Sequence, residues 1–314
     1  MSLTRSPRSG RRRRIHWNAV KSRVVRAAER SAGALPDSLA APLLGAAEVV
    51  LNAAWFAPGV PMRSACRDVV LLAKARGFEH DPRAIHRRLV AQMRDVGALY
   101  HRLHRAGREA VLPHLHLRPE QQHRLASLFE SDGSFVIAVA HNPGAVLYAI
   151  RFAESFPCVA VGKRSKRPGS NELLERFFAR LEVPFVQSSR HERVAFTRRL
   201  LEAVDEGRAL IVPIDRIDRR KENPTARIFG SDVPFPQWAL RIATRRKLPI
   251  LPAWITVECG DASVEFGELI READPGRALQ DAITRLEEWI VRDPGSWAFL
   301  ADRRWRRVMR RAEK

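Results

Sequence analysis

Cysteine is scarce in this chain. Only Cys66, Cys158 and Cys259 occur in 314 residues, and their spacing fits neither a CxxC pair nor a zinc-ligand set. A disulfide framework and a structural zinc site are therefore excluded as the basis of the fold, and no metal is expected. A reducing compartment follows as the default. Acidic residues are also few: 35 Asp and Glu stand against 55 Lys and Arg, a formal charge of +20. No uninterrupted apolar run reaches the roughly 18 residues of a membrane-crossing helix. The best stretch, Leu39–Pro58, is broken by Pro42, Glu48 and Asn52, so no transmembrane helix is expected. The basic start lacks a following apolar core and small-residue cleavage site, so no secretory signal is expected. GxSxG, GxGxxG and Walker A elements are missing, which argues against a hydrolase elbow, a dinucleotide binder and a P-loop enzyme.

What is present describes a folded protein with charged ends. Hydrophobic residues make up 45% of the chain and the mean hydropathy is −0.28, values of a globular rather than a disordered chain. Residues 1–30 hold ten Lys and Arg against Glu29 alone, and residues 301–314 hold seven against Asp302 and Glu313. Two basic ends suit an anionic partner, whether lipid headgroups, an acidic carrier protein or nucleic acid. No nucleic-acid module accompanies the charge, so no specific nucleic-acid partner is expected.

Three regions differ in pattern. Residues 1–35 form a basic tail, in which Ile15–Ser31 reads as an amphipathic helix with Trp17, Val20, Val24 and Ala28 on one face. Such a helix suits an anionic membrane surface, or packs its stripe on the main body. Residues 36–130 read as helical throughout, with no strand. Residues 131–314 alternate short apolar strands with amphipathic helices, which implies an α/β fold with a mixed, partly parallel sheet flanked by helices. Residues 36–314 are expected to form one domain.

The strand expected over Phe135–Ala140 runs into His141-Asn142-Pro143-Gly144, and a helix follows. A histidine there sits where α/β folds place their sites, beside the free N–H groups of a helix start. Imidazole is suited to take a proton from an alcohol near neutral pH. The plainer reading is a loop histidine held by a structural hydrogen bond.

An ordered series of blocks extends from this point. His141 closes its strand. Val159–Arg164 precedes Asn171-Glu172-Leu173-Leu174, with Lys163 and Arg164 at the strand end. Gly207-Arg208-Ala209 runs to Pro213-Ile214-Asp215. Phe229-Gly230 and Val233-Pro234-Phe235 precede Leu248–Pro252. Trp297–Leu300 and Arg303-Arg304-Trp305 close the series. Over about residues 38–308 this order resembles the lysophospholipid acyltransferase superfamily, and most of all the bacterial lauroyl/myristoyl acyltransferases of lipid A biosynthesis.

The resemblance implies a transferase that moves a fatty acyl group from an acyl thioester to a hydroxyl or amine of a lipid or glycolipid. His141 would be its general base, and acyl carrier protein or coenzyme A would carry the donor. No cofactor is implied. Lys163, Arg164, Asn171, Phe229, Arg303 and Arg304 become candidate substrate-binding residues, with Phe229 in a long Pro224–Pro236 loop that would border an acyl-chain groove. The implied location is cytoplasmic, peripheral on the cytoplasmic face of a membrane. The family's acid five residues after the histidine is replaced by Val146, and its histidine before the paired arginines by Asp302. Asp215 and Asp218 are the candidate replacement acids. The plainer reading has Asp215 capping a turn and Asp218 paired with Arg219 or Arg220. Without an acid at His141, the alternative is a catalytically degenerate member of the fold that binds lipid or a partner protein.

Overall fold

A computed structural model describes residues 35–164, 170–188, 193–220, 223–236 and 238–312. The expected surface helix over Ile15–Ser31 and the loop cations Lys166 and Arg167 lie outside the described residues. The chain begins with three helices, α1 (Asp37–Ala53), α2 (Pro61–Lys74) and α3 (Pro82–Ala106). A short strand β1 (Leu115–His116) and helix α4 (Pro119–Asp132) lead into the α/β part. There follow β2 (Val136–Val139), α5 (Ala145–Ser155), β3 (Cys158–Lys163), α6 (Ser170–Leu181), β4 (Phe185–Ser188), α7 (Arg193–Asp205) and β5 (Ala209–Pro213). A hairpin β6 (Thr225–Ile228) and β7 (Ser231–Pro234) precedes α8 (Trp238–Arg246), β8 (Ile250–Glu258), β9 (Asp261–Phe266), α9 (Pro275–Arg292) and α10 (Arg303–Ala312).

Local chemistry explains the helix starts. Proline occupies the first turn of α2, α3, α4 and α9, where its missing N–H costs nothing. Asp81 caps α3 by accepting from Ala84 N–H at 2.9 Å, and Asp274 caps α9 by accepting from Arg277 N–H at 2.8 Å.

Seven strands form one sheet in the order β1-β9-β8-β2-β5-β3-β4. Every pair is parallel except β8 with β9. The central strands are buried on both faces, which is why they read in sequence as unbroken apolar runs rather than as alternation. Val136, Ala138, Leu210 and Val212 point into one core with α2, α7, α8, α9 and α10. Phe135, Ile137, Val139 and Ile211 point into the other with α3, α4, α5 and α6.

Two expectations are corrected. The region 36–130 is not wholly helical, because β1 adds a parallel edge to β9; two residues are too short for any alternation to register. The Pro224–Pro236 segment is a β-hairpin rather than a loop. Phe229 and Gly230 both adopt positive φ, 49° and 70°, which is the backbone of a two-residue turn whose twist matches its strands. A helix, α10, forms over the C-terminal arginine run because Trp305, Val308 and Met309 fall on one buried face. The apolar stretch Leu39–Pro58 is also less broken than its sequence suggests. Residues Asp37–Phe56 form one helical segment long and apolar enough, by length and composition, to cross a membrane.

Candidate active site

Strand register brings the principal residues together. In the parallel pair β2/β5, Val139 lies opposite Pro213, and Ile214 N–H donates to Val139 C=O at 3.0 Å. His141 and Asp215 each stand two residues beyond that last pair. They therefore emerge side by side at the carboxyl ends of adjacent parallel strands, the edge where open α/β sheets build their sites.

Asp215 holds His141 at two points. Its Oδ2 accepts the His141 backbone N–H at 2.9 Å, and its Oδ1 meets His141 Nδ1 in a short hydrogen bond. Trp297 Nε1 also donates to Oδ2, at 2.9 Å, and Trp305 Nε1 donates to the Asp215 main-chain carbonyl at 3.0 Å. The Asp215 side chain is completely buried. Burial alone pushes its carboxyl upward, but the facing imidazole and the hydrogen bonds from His141 and Trp297 outweigh it and hold the group below the usual carboxylate range. An ionised Asp215 requires the proton of a neutral His141 to sit on Nδ1. Nε2 is then the acceptor, and the histidine side chain is 33% exposed. Phe299 stacks on the ring with centroids 4.1 Å apart and fixes its plane.

The loop beneath is fixed as firmly. Asn142 is buried; it donates to Ser296 C=O at 2.6 Å and accepts from Ile255 N–H at 3.1 Å, tying the loop to β8. Ala298 N–H donates to His141 C=O at 2.8 Å. Gly144 starts α5 because nothing larger fits: a Cβ there would lie 2.5 Å from Val257 Cγ2.

Asp218, the other candidate acid, does not meet His141. It accepts from Arg220 Nε at 3.0 Å, and Lys163 Nζ lies 3.6 Å away. The Arg220 hydrogen bonds, opposed by burial and aided by Lys163, hold its carboxyl down at about 2. The plainer sequence reading, an ion pair with a neighbouring arginine, is the one observed for Asp218. The same reading of Asp215 as a turn cap gives way to a buried partner of His141.

Around this pair the loop 214–220 gathers cations. Lys163 ends β3 beside Asp218, and burial together with the nearby Arg216 lowers its pKa. Arg216 is partly buried, and burial and then the charge of Arg304 lower its pKa, against Asp218, Asp215 and Asp302. Its guanidinium has no hydrogen bond or ion pair among the described residues. Arg304 donates to Ile217 C=O at 2.8 Å. Lys163, Arg216 and Arg304 thus share one place, and an incoming anion would relieve their mutual repulsion.

The remaining candidates are dispersed. Arg164 is exposed at the end of β3, its backbone N–H bonded to Ser188 C=O at 3.0 Å. Asn171 sits half-buried in the first turn of α6, and Arg303 is exposed on the first turn of α10. Phe229 is only 4% exposed. It is a core residue at the hairpin tip, with its N–H donating to Glu287 at 3.1 Å and its ring 6.4 Å from that of Trp305. It lines no groove, because the segment carrying it is a folded hairpin. Asp302 caps α10 by accepting from Arg304 N–H at 2.7 Å.

Sequence reasoning gave no role to Asn142 or Arg216, and named Trp297, Phe299 and Trp305 only within motif blocks, without their contacts to Asp215 and His141. Arg216 stands next to a proposed acid and was legible; the others act through contacts distant in the chain. Among the described residues no group of His, Cys, Asp and Glu is arranged to hold a metal ion. Compared with known proteins, the chain matches no family model and shows no significant match to a curated protein.

Proposed function

We propose that the chain is an acyltransferase that moves a fatty acyl group from an acyl thioester to a hydroxyl or amine of a lipid or glycolipid, working peripherally at the cytoplasmic face of a membrane. One observation carries the reading: a buried carboxylate fixes Nδ1 of a partly exposed histidine at the sheet edge, beside the partly buried Arg216, which has no hydrogen bond or ion pair among the described residues. The ordered resemblance to the lysophospholipid acyltransferases adds the substrate class.

In the proposed reaction the acceptor O–H or N–H gives its proton to His141 Nε2. Its oxygen or nitrogen then attacks the thioester carbonyl. Asp215 stabilises the imidazolium as it forms. The C–S bond breaks, and the leaving thiolate takes the proton back from Nε2, so the histidine returns to its starting state. Arg216, Lys163 and Arg304 would hold the phosphates of a lipid acceptor or of the pantetheine-bearing donor. The donor is acyl carrier protein or coenzyme A.

The carboxylate of Asp215, which reaches His141 from the loop after β5, supports the catalytic reading over a degenerate member of the fold despite Val146. The test is thiol release from lauroyl and myristoyl thioesters of both carriers, with lysophospholipid and glycolipid acceptors. His141→Ala should lose about 10²–10⁴-fold in kcat, the range of general acid–base catalysis. Retention of most of the rate by His141→Ala, or no transfer by the wild type with any pair, would overturn the proposal.

A further inference from the structure

Helix α1 presents an apolar face that the rest of the described chain leaves uncovered. Six of the ten large hydrophobic side chains exposed among the described residues lie on it or on the short turn that follows: Leu39, Leu43, Val49, Val50, Leu51 and Phe56. Three of them, Val49, Val50 and Phe56, are 68%, 66% and 63% exposed. From Ser38 to Pro58 the only charged residue is Glu48, and Glu48 is turned away to Arg94 on α3, 2.7 Å from its Nη1. An apolar surface of this kind on a folded protein marks an interaction site.

The helix is long enough to cross a bilayer, but its packing keeps it on one side. Leu44 sits over Gly97 of α3, where a Cβ would come within 2.8 Å of it. His86 bonds Leu51 C=O at 3.1 Å, Arg83 lies 5.0 Å over the Phe56 ring, and Asp37 pairs with His101 at 3.0 Å. Lipid surrounding α1 would have to surround this polar seam as well, which hydrocarbon does not tolerate.

We propose that α1 docks side-on into an anionic lipid bilayer, with Leu39, Leu43, Val50 and Phe56 in the acyl-chain boundary. Charge identifies the occupant. The 36 residues before α1 in the sequence carry ten Lys and Arg against one acid, so positive charge adjoins one end of an apolar face. That combination suits an anionic headgroup layer over hydrocarbon. A protein partner fits poorly, since protein interfaces carry about ten hydrogen bonds and this face offers almost no polar side chain. The docked helix rests on α3, whose Gln92 donates to Ser296 Oγ at 2.5 Å, and Ser296 C=O accepts from Asn142. The bilayer would thus lie against the helix that braces the His141 loop. The surface argument holds whether or not His141 transfers an acyl group.

The test is co-sedimentation of the full chain with vesicles of phosphatidylglycerol and phosphatidylcholine, at 0.1 M and 0.5 M salt, against the double variant Leu43→Glu, Val50→Glu. Both positions are exposed, and unchanged circular dichroism and melting would show the fold intact. Salt screens the contribution of the basic residues before α1, so the apolar part is read at 0.5 M. The variant should bind at least tenfold more weakly there, while the wild type still sediments. Equal sedimentation of both proteins at high salt would overturn the proposal. So would a lipid-free wild-type dimer that the variant converts to monomer, because the face would then cover a second copy of this chain.

Discussion

The Asp215 carboxylate is buried without an opposite full charge in permanent contact, and three N–H donors replace its lost water: the His141 backbone, the His141 ring and the Trp297 indole. The carboxylate therefore does two jobs, setting the histidine tautomer and tying Trp297 to the sheet edge, while Trp305 is held by the main-chain carbonyl of the same residue. Asp215→Asn keeps the shape but offers an amide N–H where an acceptor is needed, so it favours the wrong tautomer. A loss of roughly 10³–10⁴-fold in kcat is expected from the behaviour of such triads, with the fold retained by circular dichroism. Val146→Asp, which restores the family spacing, should not increase the rate, because Nδ1 is already engaged. A gain in kcat from Val146→Asp would mean that Asp215 does not serve as the orienting acid. Asp218 behaves differently. Its folded pKa, about 2, is depressed by Arg220 first and by Lys163, against burial, below an ordinary value near 3.9. A depressed carboxylate stabilises the fold above its unfolded pKa, and that contribution is lost as pH falls through the folded value. The urea-midpoint difference between wild type and Asp218→Asn should accordingly be full at pH 5 and shrink between about pH 4 and pH 2.

At the scale of elements, the loop from β2 to α5 has little room to move. Gly144→Ala places a methyl 2.5 Å from Val257 Cγ2 and 3.5 Å from Ile255 Cγ2, both in β8. Overpacking of this kind costs about 1–3 kcal/mol, and a displacement near 1 Å at His141 would cost about 10²-fold in rate. Gly45→Ala, in α1 with nothing within 4 Å of the new methyl, should instead be neutral or stabilising by up to about 1 kcal/mol. Chemical denaturation of the two variants separates a packing effect from a general intolerance of substitution. The same elements show what the sequence made legible. The central strands and amphipathic helices announced themselves, because unbroken apolar runs and 3.6-residue periodicity are local signals. The strand order was not legible: β2 lies between β5 and β8, and no local pattern encodes that neighbourhood. Asp215 was therefore one of two candidates until register placed it beside His141. The β6–β7 hairpin escaped because its turn pairs glycine with a positive-φ phenylalanine, where asparagine or aspartate is the usual signal.

Across the whole molecule, the described helices share the positive charge unevenly: α10 carries six arginines and α1 carries no basic residue. Of the α10 arginines, Arg304 joins Arg216 and Lys163 at the loop after β5, whereas Arg306 donates to Ser64 and Arg310 pairs with Asp68, both on α2. A protein with a charge of +20 attracts an acidic protein over longer range than a small anion, because more charges act together. This distinguishes the two proposed donors. If the carrier is an acidic acyl carrier protein, steering should make kcat/KM fall steeply between 0.05 and 0.5 M salt. A coenzyme A thioester engages only the local cluster, so its kcat/KM should fall several-fold less over the same range. Arg216→Ala would then weaken both donors in KM, whereas Arg307→Ala, on the exposed face of α10, would weaken the carrier protein alone and reduce its salt slope. Equal salt slopes for the two donors would count against carrier-protein docking on α10 and leave Arg216 as an anchor for the phosphates common to both.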